Sequence, residues 1–187
     1  MPVASNELTE DMQTLYDNLK QQFQLGEFTG QRPDLAFVTV TREHLRALLQ
    51  HLRDREGFTH LVLLTAVDWI EEDIFQLTYL LNDRAKARDI GVRLLLPRDD
   101  ARMDSIHDLW PTAATYQREL REMFGIDFPD SPGVNDDFIL EGWTDIPPYR
   151  REFDTLEYAR QTYEDRPGRE TNDPAAHMKR QLYPDGK

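Results

Sequence analysis

The chain has 187 residues, enough to bury one hydrophobic core and leave an appendage. Its 35 acidic and 22 basic residues give a formal net charge of -13, so most of its surface repels a phosphate backbone or an anionic membrane face, and nucleic acid is not an expected partner. With no cysteine, the chain itself can hold no disulfide, catalytic thiol, cysteine-bound zinc or iron–sulfur cluster.

The N-terminal residues Met1 to Glu7 lack a basic stretch leading into an apolar core, and no run in the sequence approaches the ~20 apolar residues that span a bilayer. The expected place is the cytoplasm, with membrane contact only through partners. Leu8, Met12, Leu15, Leu19 and Phe23 recur at helical spacing, with Glu7, Glu10 and Asp11 at the start and Gly26 beyond the end. A loop containing Gly30 and Pro33 is expected next, then a strand over 35–40. Thr41 stands where it can cap a helix whose Leu45, Leu48, Leu49 and Leu52 share one face before Gly57.

The run Leu61 to Val67 is apolar on both sides of a pleat, which predicts a strand in the middle of a sheet. Residues 74–81 and 89–96 alternate as strands, and Asn82-Asp83-Arg84 between them predicts an antiparallel pair. A further helix is predicted over 112–124, ending at Gly125. Seven of the 11 prolines lie beyond that glycine, among few periodic apolar positions. The fold class expected is α+β: a two-layer domain with a mixed sheet and helices over 1–129, then an extended, proline-rich, partner-wrapping arm over 130–187. Within that arm only 155–162 reads as helix; the rest is expected to be extended or irregular.

Signals for chemistry are absent. No G-x-G-x-x-G follows a strand, and no glycine-lysine-serine/threonine loop opens a helix. The five histidines form no i, i+4 pair, and no serine lies in a G-x-S-x-G elbow. What stands out is the charged and aromatic stretch from Trp110 to Phe153. On a helix Arg118, Glu119 and Glu122 form a charged face, which is either solvated, with ion pairs contributing under about 1 kcal/mol each, or an anchor for a protein interface. Tyr149-Arg150-Arg151-Glu152-Phe153 allows the same two readings.

Trp110-Pro111-Thr112-Ala113, Gln117-Arg118-Glu119-Leu120-Arg121-Glu122-Met123-Phe124-Gly125-Ile126, Trp143 and Pro148-Tyr149-Arg150-Arg151-Glu152-Phe153 together resemble the signature of the 30 kDa subunit family, the C-type subunits of respiratory complex I. Leu64 to Trp69 and Asp104 to Leu109 look like further family segments, and the likeness spans roughly residues 59 to 153. This chain departs from the pattern at Gln117, where the family has glutamate, and at Glu122, where it has aspartate. It also has a longer 130–140 segment in which Asp136 and Asp137 stand where the family is basic.

The resemblance implies a structural and assembly subunit in the peripheral arm of NADH:quinone oxidoreductase, non-catalytic and without a cofactor of its own, on the cytoplasmic face of the membrane. Flavin, iron–sulfur clusters and quinone would belong to partner subunits, and the complex would couple electron transfer from NADH to quinone with proton translocation. The partners implied are the 49 kDa-type subunit and other peripheral-arm subunits. The interface would be formed by Arg118, Glu119, Glu122, Phe124, Gly125, Trp143, Tyr149, Arg150, Arg151 and Phe153. The alternatives are the equivalent subunit of a membrane-bound hydrogenase and a stand-alone acidic protein-binding module.

Overall fold

The computed structural model describes residues 8–163 and 174–182, in two compact units, 1–153 and 154–187. In the first unit, helix α1 (Glu10–Gln22) starts at Thr9, whose hydroxyl accepts from the Met12 N–H, and buries Met12, Leu15 and Leu19. Strands β1 (Leu25–Arg32) and β2 (Leu35–Val40) follow, then helix α2 (Arg42–Asp54). Thr41 does precede α2, but its hydroxyl bonds His44 Nδ1 at 2.9 Å and caps no backbone N–H. Strands β3 (His60–Trp69), β4 (Ile74–Asp83) and β5 (Arg88–Pro97) and helix α3 (Ala113–Phe124) complete the domain.

The sheet order is β1-β2-β5-β4-β3, with β2 and β5 parallel and every other neighbouring pair antiparallel. Two expectations are corrected. The segment expected to be a loop around Gly30 forms β1, because a polar, glycine-bearing strand is tolerated at an edge, where it pairs with β2 through register shifts. The strand expected in the middle, β3, is the other edge: a register shift between Leu61 and Leu63 breaks its alternation, and α3 packs along it instead of a further strand. β5 occupies the centre.

One face of the sheet carries the core. Val38, Val92, Leu94, Phe75, Leu77, Tyr79 and Leu64 meet the α2 leucines 45, 48, 49 and 52 and the α1 residues Met12 and Leu19, nearly all fully buried. Arginines on α2 pin the long 98–112 connection beneath α3: Arg42 pairs with Asp100 at 2.7 Å, Arg46 with Asp108, and Arg53 Nη1 donates to the Leu109 carbonyl at 2.9 Å. The Arg46 hydrogen bond holds the Asp108 carboxyl below the usual carboxylate range against the opposing effect of burial. At the far end of the sheet the buried pair Arg88 and Asp83, 3.0 Å apart, joins the β4–β5 hairpin to Asp11 of α1 and to the Glu56 carbonyl after α2.

In the second unit Asp154 caps α4 (Thr155–Thr162) by accepting from the Leu156 and Glu157 N–H groups at 3.0 and 2.9 Å. Where irregular chain was expected, residues 174–182 form helix α5 (Pro174–Leu182), with proline at its first position, where its missing N–H costs nothing. No described helix is long and apolar enough to cross a membrane.

Candidate functional site

The site builds from the end of α3. Its buried stripe, Ala113, Gln117, Leu120 and Phe124, has helical spacing and contains one polar residue. Gln117 Oε1 accepts from Ser105 and Ser131 at 2.7 Å each, so it joins the 98–112 connection to the chain beyond α3. An amide there keeps the acceptor while avoiding the buried charge that a glutamate would bring. Gly125 ends the helix at φ +74, the left-handed region that favours glycine, and its N–H bonds back to the Arg121 and Leu120 carbonyls.

Residues 129–153 form no helix or strand, yet they run over the domain as a strap. The Glu122 carboxylate accepts three consecutive backbone N–H groups of the strap, from Phe138, Ile139 and Leu140, at 2.6, 2.9 and 3.1 Å. The strap returns to the open carbonyl end of α3, where the Tyr149 N–H donates to the Met123 carbonyl at 3.0 Å and Arg150 Nε to the Phe124 carbonyl at 2.7 Å. A Cβ on Gly125 would lie 3.0 Å from Arg150 Nη2 and 3.3 Å from Pro147 Cγ, so glycine also lets the strap lie close. Aromatic edges fill the rest: Phe124 meets Phe75 and Tyr149 at 6.1 and 5.5 Å, and Trp143 meets Phe153 at 5.5 Å.

A charge cluster locks the end of the strap. Arg98 pairs with buried Asp68: Nη2 donates to Oδ2 at 3.1 Å, while Nε lies 2.9 Å from Oδ1 but is misaligned for a hydrogen bond. Arg98 also bonds Glu152 of the strap, and the Arg151 N–H donates to Asp68 Oδ2 at 2.9 Å. Arg98 and Arg150 both lie over the Phe75 ring, at 5.5 and 5.4 Å. Burial acts against the charge on Arg98, but its bonds to Glu152 and Asp68 outweigh it and raise its pKa. Burial likewise opposes charge on Glu152, yet its backbone hydrogen bond and Arg98 hold its carboxyl below the ordinary range.

That shift has a definite sign in stability. A carboxyl with a depressed folded pKa stabilises fully above its unfolded value, about 4.3 for glutamate, and loses that contribution as pH falls through the lower folded value. Urea midpoints measured across a pH series are expected to hold down to about pH 5 and then to fall, with a shallower acid limb in Glu152→Gln. An identical acid limb in the variant would remove Glu152 from the lock.

The ten residues singled out from the sequence therefore divide. Glu122, Phe124, Gly125 and Arg150 fasten the strap to its own domain, while Trp143 and Phe153 meet each other within the strap. Facing outward are Tyr149, 57 % exposed, and the Arg151 side chain, which pairs with Glu71 at 3.7 Å. Glu119 has no ion pair or hydrogen bond among the described residues, and Arg118 has none beyond its stacking over the Phe138 ring at 5.4 Å. Sequence reasoning missed Asp68 and Arg98, although the alternation of Leu64, Ala66 and Asp68 puts the aspartate on the buried face. Beside the strap lies a shallow cleft lined by Arg121, Asp136, Asp137, Trp143 and Asp145. No group of three or more metal-ligating side chains occurs among the described residues.

A mixed sheet layered with helices and bound by its own strap defines a compact α+β domain. The chain belongs to the family described as respiratory-chain NADH dehydrogenase, 30 Kd subunit, whose profile matches residues 38–159. The C subunit of NADH-quinone oxidoreductase from Moorella thermoacetica is 32% identical over 111 residues, 57% of this chain and 75% of the relative. The Rhodobacter capsulatus C subunit is 36% identical over 134 residues, 68% of this chain and 65% of the relative. In Aquifex aeolicus the match is to a C/D-type subunit, 31% identical over 61% of this chain and 19% of that protein. Among solved structures, a chain of the archaeal membrane-bound sulfane sulfur reductase complex has the same fold, with a TM-score of 0.73, 23% identity and coverage of 86% of this chain and 98% of that one. The trypsin-resistant fragment of Nqo5 gives a TM-score of 0.54 at 20% identity, over 65% and 98% of the two chains.

Proposed function

We propose that this chain is the cofactor-free scaffold subunit of the peripheral arm of an NADH:quinone oxidoreductase, on the cytoplasmic face of the membrane. Its task is to hold the quinone-reducing module together while electrons pass through cofactors on other subunits. The observation that carries this reading is the family match over 38–159, which takes in β3, β4 and β5, helices α2 and α3 and the whole strap. The absence of cysteine agrees with a chain that carries no iron–sulfur cluster.

A C-type chain continuous with its D-type neighbour in the Aquifex relative supports direct contact with one large neighbouring subunit. We take that neighbour to be the 49 kDa-type subunit. Tyr149 and Arg151 face outward to meet it, with the half-buried Arg118 and Glu119 left without an ion pair among the described residues, and the second unit, with Leu156, Tyr163, Met178 and Leu182 all more than half exposed, offers apolar anchors for wrapping it.

The test is affinity purification of the tagged full chain from native membranes. The 49 kDa-type subunit is expected to co-purify, and Arg151→Glu is expected to weaken that association at least tenfold while leaving the fold intact. Arg150 is unsuitable for this purpose, because its side chain holds the strap. The isolated chain is expected to show no visible chromophore and no NADH oxidation, and bound flavin in it would overturn the reading. A nickel-binding large subunit in place of a flavin-binding NADH module among the co-purified chains would assign the scaffold to a hydrogenase complex.

A further inference from the structure

All three helices of the first unit pack on one face of the sheet; the other face has no covering layer among the described residues of that unit. Its cross-strand rows can be read from the register. Trp69, Ile74 and Pro97 form one row and Val67, Gln76 and Leu95 the next, running across β3, β4 and β5. Val67 and Trp69 are each 41 % exposed and Leu95 is 47 % exposed, so the first row and the two ends of the second make an apolar strip around Gln76. Isolated exposed apolar residues are ordinary on any protein; adjacent rows of them on a flat sheet are not.

The third row places Arg93 of β5 between Thr78 of β4 and Thr39 of β2. Its guanidinium stacks 4.0 Å from the centre of the Phe37 ring. That ring in turn lies so close over Gly91 that a Cβ there would be 2.3 Å from it, so glycine is what allows the stack to form. Arg93 makes no ion pair among the described residues, and its Nε is buried without a hydrogen-bond partner. Burial lowers its pKa, with the Glu27 carboxylate acting weakly the other way. A chain with 35 acidic residues could have paired this arginine many times over. Instead a guanidinium preorganised on the Phe37 ring, with its Nε desolvated, lies unpaired among the described residues beside the apolar strip, and the ligand it suits best is a carboxylate.

We propose that this open sheet face, centred on Val67, Trp69, Leu95 and Arg93, docks a second neighbouring subunit through an apolar segment that places an aspartate or glutamate on Arg93. The proposal rests on the scaffold reading above and adds an interface separate from the strap. The apolar rows supply contact area, while Arg93 supplies register and selects for a carboxylate against the otherwise repulsive charge of this chain.

The experiment places a photo-cross-linking residue at Leu95, on the open face, or at Arg151, on the strap, in the full chain assembled in its native complex. Glu43, exposed on α2, serves as the control position. From Leu95 the expected adduct is a peptide of another protein subunit that carries apolar residues and an acidic residue within a few positions of the attachment point. Arg93→Glu is expected to lower its yield at least tenfold and Arg93→Lys less, with the Arg151 adduct unchanged.

An adduct from Arg151 with none from Leu95 overturns the docking face and leaves the scaffold reading intact. Adducts from Leu95 to a second copy of this chain, to residues 154–187 of the same chain, or to lipid also overturn it. An adduct from Leu95 that Arg93→Glu leaves at full yield overturns the role of the carboxylate, and silence at both positions overturns the docking face together with the scaffold.

Discussion

Arg88→Ala is expected to destabilise the chain by about 3–5 kcal/mol, the range for removing one partner of a buried ion pair. The Arg88 and Asp83 side chains are each only 3% exposed, and the guanidinium is fully engaged. Nε bonds Asp83 at 3.0 Å, Nη1 bonds Asp11 at 2.8 Å and Nη2 bonds the Glu56 carbonyl at 2.8 Å, while the plane lies 4.9 Å from the Phe58 ring centre. Truncation leaves the Asp83 carboxylate buried without its counter-charge and cuts the tie between α1, the end of α2 and the β4–β5 hairpin. Urea denaturation at neutral pH measures the loss. Asp83→Asn is expected to lose less, because its single side-chain oxygen still accepts from the Ala85 and Lys86 N–H groups that bond Oδ1, while Arg88, deprived of Oδ2, keeps Asp11 and the Glu56 carbonyl. Replacing both residues by apolar ones of similar volume is expected to recover part of the loss, and a double variant no better than Arg88→Ala would deny that desolvation of the orphaned charge is the cause.

Glu122→Ala is expected to release the strap. One carboxylate accepts three consecutive backbone N–H groups, and hydrogen bonds to a charged acceptor contribute about 1.5–3 kcal/mol each when fully made. These amides can turn partly to water in the variant, so the net loss expected is about 2–3 kcal/mol. Hydrogen exchange reports it locally: amides 138–140 should lose protection while those of β4 and β5 keep theirs. Glu122→Gln retains an acceptor without the charge and should fall between the two. Unchanged protection at 138–140 in the alanine variant would mean that Arg150, the Tyr149 N–H and the Arg98 lock hold the strap without it. Because Tyr149 and Arg151 are presented by the strap, its release is also expected to weaken partner binding without touching either residue.

The helices were legible because burial of one face imposes a period that no other constraint overrides. Met12, Leu15 and Leu19 in α1 and Leu45, Leu48, Leu49 and Leu52 in α2 are all buried as their spacing requires. The positions of the strands within the sheet were not legible, because an uncovered face relaxes the pattern. Gly91 and Arg93 interrupt the apolar run of β5 and hid its central position, while Val62, Leu63 and Val67 made β3 look buried on both sides although it is an edge. Similarly, the identity of the interface-like residues could be read, but not their direction. Arg150 and Arg151 are neighbours in an arginine pair, and only the path of the strap past Gly125 turns the first inward to the Phe124 carbonyl and the second outward.

The compact unit running to Phe153, where the sequence changes character at Gly125, has the same origin. Proline-rich chain without periodic apolar positions gives no sign of docking, since its contacts are backbone N–H groups, helix-end carbonyls and one buried aspartate.

The insertion of β5 between β2 and β4 bears on how the chain acquires its fold. β1, β2 and α2 leave the ribosome well before β5, but the strand that β2 must pair with in parallel lies beyond two further strands, 48 residues past the end of β2. Local hairpin formation can join β4 to β5, and β3 to β4, before β2 is engaged. The last sheet contact to close is therefore the long-range parallel one, which bears the largest loop-closure entropy and is the slow kind of step. Until it closes, β2 presents an unpaired apolar edge, so the time to dock β5 sets the interval in which the newborn chain is open to misassociation.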